Sequence, residues 1–214
     1  MQEKTGDLSG NFLKSFMEGF HYVRKHELIL GIMALDMFAV LFGGAVSILP
    51  AFVKEVLNAG PETLGILRAA PAAGAVIMGI YLAKRPILTD SGKHLLLSVA
   101  GFGAAIIAFG ISSNLWICAF FLFASGCFDA VSVVIRGSIM QLTTPDHMRG
   151  RISAINGIFI GSSNELGALE SGIAASMMGL VPSIVFGGVA TIAVVLITYR
   201  LAPHLGKLHL KDIS

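Results

Sequence analysis

Six apolar stretches, near residues 28–52, 62–83, 95–113, 115–136, 151–179 and 181–200, limit what this chain can fold into. Each approaches the ~20 residues with which an α-helix crosses a hydrocarbon core ~30 Å thick. A segment in lipid must satisfy its own backbone polar groups, which a lone helix does and an open strand does not. The joints carry residues that stop helices: Asn58-Ala59-Gly60-Pro61, Ser112-Ser113-Asn114 and Gly179-Leu180-Val181-Pro182. The last two are so short that the helices they join must run antiparallel. The expected fold is an all-α membrane protein: a lead-in over 1–27, a six-helix transmembrane domain over 28–200 and a tail over 201–214.

The charge inventory agrees. Only 13% of the 214 residues are charged, against about 25% in a soluble domain, and the mean hydropathy is +0.80. A net charge of +2 provides no field for nucleic acid, so the placement of charge matters more than its sum. Lys4, Lys14, Arg24 and Lys25 precede the first span, Lys84, Arg85 and Lys93 follow the second, Arg136, Arg149 and Arg151 surround the fourth joint, and Arg200, Lys207 and Lys211 follow the sixth. Lys54 alone falls on the other side, and Arg68 lies within a span. The positive-inside rule then places both termini in the cytoplasm. Trp116 at an outer helix end and Tyr81 and Tyr199 at inner ends suit the interfacial belts. Residues 11–27 alternate Phe12, Phe16, Phe20, Tyr22 and Val23 with Lys14, Glu18, Arg24 and Lys25, the pattern of an amphipathic helix at a membrane surface leading into the first span. No signal peptide is legible in the polar first sixteen residues, so membrane entry rests on the spans.

Small residues at helical spacing, Gly157 with Gly161 and the run Ala69 to Ala75, predict close helix contacts, and Pro71 a kink.

Polar side chains inside such helices are costly and face protein or water. Asp36 and Asp129 fall at similar depths, roughly 13–16 Å from the inner face. Asp129 and Arg136 share one helical face seven residues apart, a rise of roughly 10 Å that needs a third side chain to complete a network. Arg68 and Glu170, about 10 and 13 Å below the outer ends of their helices, match in depth and oppose in sign. That makes them candidates for an ion pair, either fixed or broken and reformed during function. Asn164 and Glu165 lie near mid-membrane without a cation at their depth. Glu165 reads either as a proton carrier or as a protonated carboxyl donating to a neighbouring helix. Arg136, Asp146, Arg149 and Arg151 gather around a basic, proline-broken loop from Thr143 to Arg151, as a gate or as simple anchors.

Reaction chemistry finds little support. All six histidines fall in the flanks, which leaves no intramembrane Ser-His pair. Metal-ligand spacing and a phosphate loop are absent from the sequence, and no cofactor is expected. Cys118 and Cys127 are too far apart on one helix to bridge and read as packing residues.

The runs EGFHYVRKHELILGIMALDMFAVLFGGAVSILP, LGILRAAPAAGAVIMGIYLA and PDHMRGRISAINGIFIGSSNELGALESG resemble the C-terminal half of major facilitator superfamily transporters, within the drug and siderophore efflux branch. The resemblance covers about residues 12–200. It implies half of a twelve-helix fold, with residues 11–27 as the linker between halves and the first half missing. It also implies secondary, ion-gradient-driven efflux of a small amphipathic or siderophore-like molecule through a bacterial inner membrane. The first and fourth helices would line a central cavity, placing Asp36 and Asp129 on it. The partners implied are the bilayer, the small-molecule substrate, and a matching first half or a second copy of this chain. The family's inner-loop acid is replaced by Ala83, which departs from its gate latch. The competing expectation is a membrane subunit or degenerate fragment that moves nothing.

Overall fold

Asn114 shows how the joints work: its side-chain oxygen accepts hydrogen bonds from the backbone N–H of Trp116 (3.0 Å) and Ile117 (3.3 Å), capping the helix that follows. The computed structural model describes residues 8–44, 46–206, 208 and 210–212, without the side chains of 8–16, 27, 203, 204 and 212. Its helices are α1 (Leu8–Lys25), α2 (Glu27–Phe42), α3 (Leu49–Glu55), α4 (Pro61–Lys84), α5 (Ser91–Gly110), α6 (Leu115–Thr143), α7 (Asp146–Met178), α8 (Leu180–Leu201) and α9 (Pro203–Gly206), then a 3₁₀ turn at Leu210–Asp212. No strand occurs among the described residues.

The chain is an all-α membrane protein. By length and composition α4, α5, α6 and α8 can each cross a bilayer, and α2 adds a shorter apolar helix over Leu28–Phe42. Large apolar side chains remain on the outer faces, among them Leu97 (67% exposed), Phe120 (63%) and Leu196 (60%). Water would penalise that surface and lipid covers it.

Two boundaries differ from the sequence reading. The first stretch, 28–52, is broken: α2 ends at Phe42 and the chain resumes helix at Leu49. At the break, a Cβ on Gly43 would meet the Phe102 ring of α5 and one on Gly44 would stand 2.9 Å from the Gly167 carbonyl oxygen of α7. The expected loop from Thr143 to Arg151 shrinks to Thr144 and Pro145, with Asp146 already in the first turn of α7. Proline suits the position before a helix, and an acid in the first turn complements the exposed N–H groups.

In packing order, α6 lies between α4 and α5, α8 joins α5 to α2, and α7 rests on α2 and α8. The α4–α6 seam depends on missing side chains. A Cβ on Gly126 would collide with the Pro71 carbonyl and one on Gly74 with the Phe123 carbonyl, while the Cys127 thiol donates to the Gly74 carbonyl at 3.4 Å. Gly126→Leu is therefore expected to wedge the seam and cost on the order of 1–3 kcal/mol, read as a lower unfolding temperature in detergent. Gly157→Leu is the control and should leave that temperature unchanged, because nothing lies within 4 Å of its would-be Cβ. This corrects the expectation for Gly157 and Gly161, which both sit on an open face of α7 and pack against no helix among the described residues. Pro71 lies inside α4, which continues past it as one helix.

The lead-in and tail are both docked. α1 rests on α7 and α2. Val23 is buried, Glu18 pairs with Arg151 at 2.7 Å, and the Tyr22 hydroxyl donates to the Thr143 carbonyl at 3.1 Å. Phe12, Lys14 and Phe16 of the expected amphipathic pattern have side chains outside the described residues, as Lys4, Lys207 and His209 lie outside them altogether. In the tail, Leu205 and Leu210 are buried, and the backbone N–H of Gly92 donates to the Leu208 carbonyl at 3.1 Å.

Candidate functional site: a cleft between α4 and α7

A cleft of about 350 Å³ separates α4 from α7. Ala72 and Ala75 of α4 form one wall, Asn164 of α7 stands on the other, and Val40, Phe102, Gly126 and Asp129 of α2, α5 and α6 make the floor. Space exists there because the lining is small: Gly43, Gly44, Ala72 and Ala75 contribute almost no bulk. Its polar groups are few, which suits a site that orients an otherwise apolar ligand. Asp129 is exposed to this space, as is Asn164, and the Ser125 hydroxyl is turned onto the Leu122 carbonyl at 2.7 Å.

Beneath the cleft lies a crevice of about 20 Å³, lined by Asp36, Ser98, Phe128, Asp129 and Ser132 and sharing Val40, Phe102 and Asp129 with the space above. That is room for about one water-sized molecule. Asp36 and Arg136 are each only 6% exposed, and a carboxylate oxygen of Asp36 meets Nη1 of Arg136 directly. Arg136 Nε finds no hydrogen-bond partner among the described residues. Arg136 thus pairs with Asp36 across the helix interface, while Asp129 shares the crevice with Asp36. A buried pair of this kind is sensitive to the loss of either member, since the survivor is left as an uncompensated charge in a medium of low polarity.

The remaining candidates are placed as follows. Arg68 is exposed on α4, and Glu170 on α7 is half-buried, accepting from the Ser171 hydroxyl at 3.5 Å. They form no ion pair here, contrary to the expectation from matching depth, because their helices stand on opposite sides of the cleft. Glu165 is exposed on α7 and not buried within this chain, which corrects the reading of a carboxyl hidden among neighbouring helices. At the α6–α7 turn, Arg149 pairs with Asp146 at 2.9 Å and Arg151 with Glu18. The basic cluster is therefore divided among three acids on three elements rather than acting as one group.

Sequence reasoning missed Phe102, Ser98 and Ser132 as lining residues, and the Glu18–Arg151 contact. A period-3.6 reading shows which residues share a face but not which neighbour that face meets. Ser98 and Ser132, polar residues within apolar runs, were the available signal.

The chain is thus an α-helical membrane bundle with a small-residue cleft of few polar groups, next to a crevice that reaches the buried Asp36–Arg136 pair. The family described as transmembrane secretion effector matches residues 2–211, so the chain belongs to this branch of the major facilitator superfamily. It is 28% identical over 186 residues to the uncharacterized MFS-type transporter YvqJ of Bacillus subtilis strain 168, covering 86% of this chain and 43% of that protein. It is 30% identical over 144 residues to the enterobactin exporter EntS of Escherichia coli O1:K1, covering 67% of this chain and 34% of that protein. The same figures hold for EntS of Shigella boydii serotype 18. The chain thus spans less than half the length of these curated relatives. No solved structure matches it.

Proposed function

We propose that the chain works as the C-terminal six-helix half of a secondary exporter in a bacterial inner membrane, with both termini cytoplasmic. It would use an ion gradient, by antiport, to move small amphipathic or siderophore-like molecules outward. The observation that carries this reading is the cleft in which Asp129 and Asn164 share a small-residue lining directly above the buried Asp36–Arg136 pair. Asp129 and Asn164 contact cargo, Asp36 with Arg136 holds the charge balance beneath, and Glu165 on the open face of α7 addresses the other half of the cavity. Arg68 of α4 and Glu170 of α7 pair only when those two helices approach and separate when they part. Arg149 and Arg151 anchor the cytoplasmic end. The open face of α7 receives either a matching first half or a second copy of this chain, and the family's halves are related by an axis along the membrane normal that either partner can reproduce. EntS exports enterobactin by its name, which supports a siderophore-like cargo.

The test is export of lipophilic dyes and of siderophores by cells making this chain alone or joined to a matching first half. Export well above background is expected from the joined form, with its rate dependent on the ion gradient. Equal background levels from both forms, at matched expression, would leave the non-transporting subunit as the better reading.

A further inference from the structure

We propose that the α6–α7 turn seats an anionic phospholipid, its phosphate beside Arg149 and its acyl chains in the groove between α4 and α6. Two cavities meet there and share Gln141 and Arg149. The larger, about 490 Å³, is walled by Leu82, Ile87, Leu88, Val134 and Leu142. The smaller, about 200 Å³, presents Thr144, Ser153 and Asn156 in addition to the shared pair. Neither shares a lining residue with the Asp129 cleft. A space that is apolar at one end and polar at the other fits an amphiphile better than a bare ion or a hydrocarbon.

The polar end is under-satisfied. Thr144 is 3% exposed and its hydroxyl oxygen has no hydrogen-bond partner among the described residues, so its desolvation goes uncompensated. Arg149 uses Nη1 on Asp146 (2.9 Å) and Nε on the Gln141 carbonyl (3.2 Å), leaving Nη2 for an acceptor. Lys84 and Arg85 are exposed at the end of α4, immediately before Pro86 of the groove, so with Arg149 three cations stand against Asp146 and Asp90, the acids nearest this rim in sequence among the residues whose side chains are described. Such a rim attracts a phosphodiester and repels the ammonium of a zwitterionic head group. Val134, Leu142 and Leu88 are exposed along the groove, as acyl-chain contacts should be.

The test uses the full chain, delipidated in detergent and titrated with phosphatidylglycerol, phosphatidylcholine of the same chains, or inorganic phosphate, with bound lipid counted by native mass spectrometry. Phosphatidylglycerol should bind with at least tenfold higher affinity than phosphatidylcholine. Arg149→Gln should remove most of that preference, and Leu142→Trp, which fills the groove, should weaken both lipids. Asp146→Asn removes the competing carboxylate and should tighten phosphatidylglycerol severalfold, a gain that misfolding cannot mimic. Equal binding of the two lipids, or a preference untouched by Arg149→Gln, overturns the proposal. So does displacement of phosphatidylglycerol by inorganic phosphate combined with no effect of Leu142→Trp, which would mark a bare anion site.

Discussion

Arg136→Gln is expected to lower stability by about 3–5 kcal/mol, because it strands the Asp36 carboxylate without its cation in a buried site. The measurement is unfolding in detergent, followed by helical signal against temperature or denaturant. Asp36→Asn alone should cost a similar amount by stranding the guanidinium, whose Nε already lacks a partner among the described residues. Combining the two changes should recover much of the loss, since two neutral amides leave no uncompensated charge. That non-additivity is the diagnostic, as side chains in direct contact couple and distant ones add. If the double variant lost the sum of the single losses, the two groups would be independent and the pair would not organise this part of the bundle. Arg68→Gln provides the contrast: its side chain is exposed and unpaired among the described residues, so stability in the same assay should hardly change.

The second large effect concerns transport and rests on the proposed function. Asp129→Asn, in the chain joined to a matching first half, is expected to reduce export of a cationic or polar amphiphile at least tenfold, equivalent to about 1.4 kcal/mol at the limiting step. Asp129 is the only acid lining the cleft among the described residues, and it also borders the crevice below, where Asp36 lies. Removing its charge therefore weakens cargo contact and changes the electrostatic balance around Arg136 together. Leu97→Ala, on the lipid-facing side of α5, should leave export unchanged. The readout is the rate of dye or siderophore efflux normalised to protein in the membrane. An unaltered rate for Asp129→Asn would remove this carboxylate from the cargo path.

The two predictions separate structural from functional charge. Asp36 is buried and satisfied by a partner, so its loss should appear first in stability. Asp129 is exposed to the cleft, so its loss should appear in transport while the fold persists. A transporter needs both kinds of group: a fixed polar framework to hold helices in register, and an accessible charge whose interactions change with occupancy.

Most helix positions and the membrane character of the chain were legible in the sequence alone, because length and hydropathy are local properties of a helix. What it could not supply was the Asp36–Arg136 contact, or the failure of Arg68 to meet Glu170, because equal depth says nothing about lateral order. Lateral order is set where backbones touch, at Gly74 and Gly126 between α4 and α6 and at Gly44 and Gly167 between α2 and α7. Those contacts set α4 against α6 and α7 against α2, since close packing selects among neighbours that the periodicity of any single helix leaves equivalent.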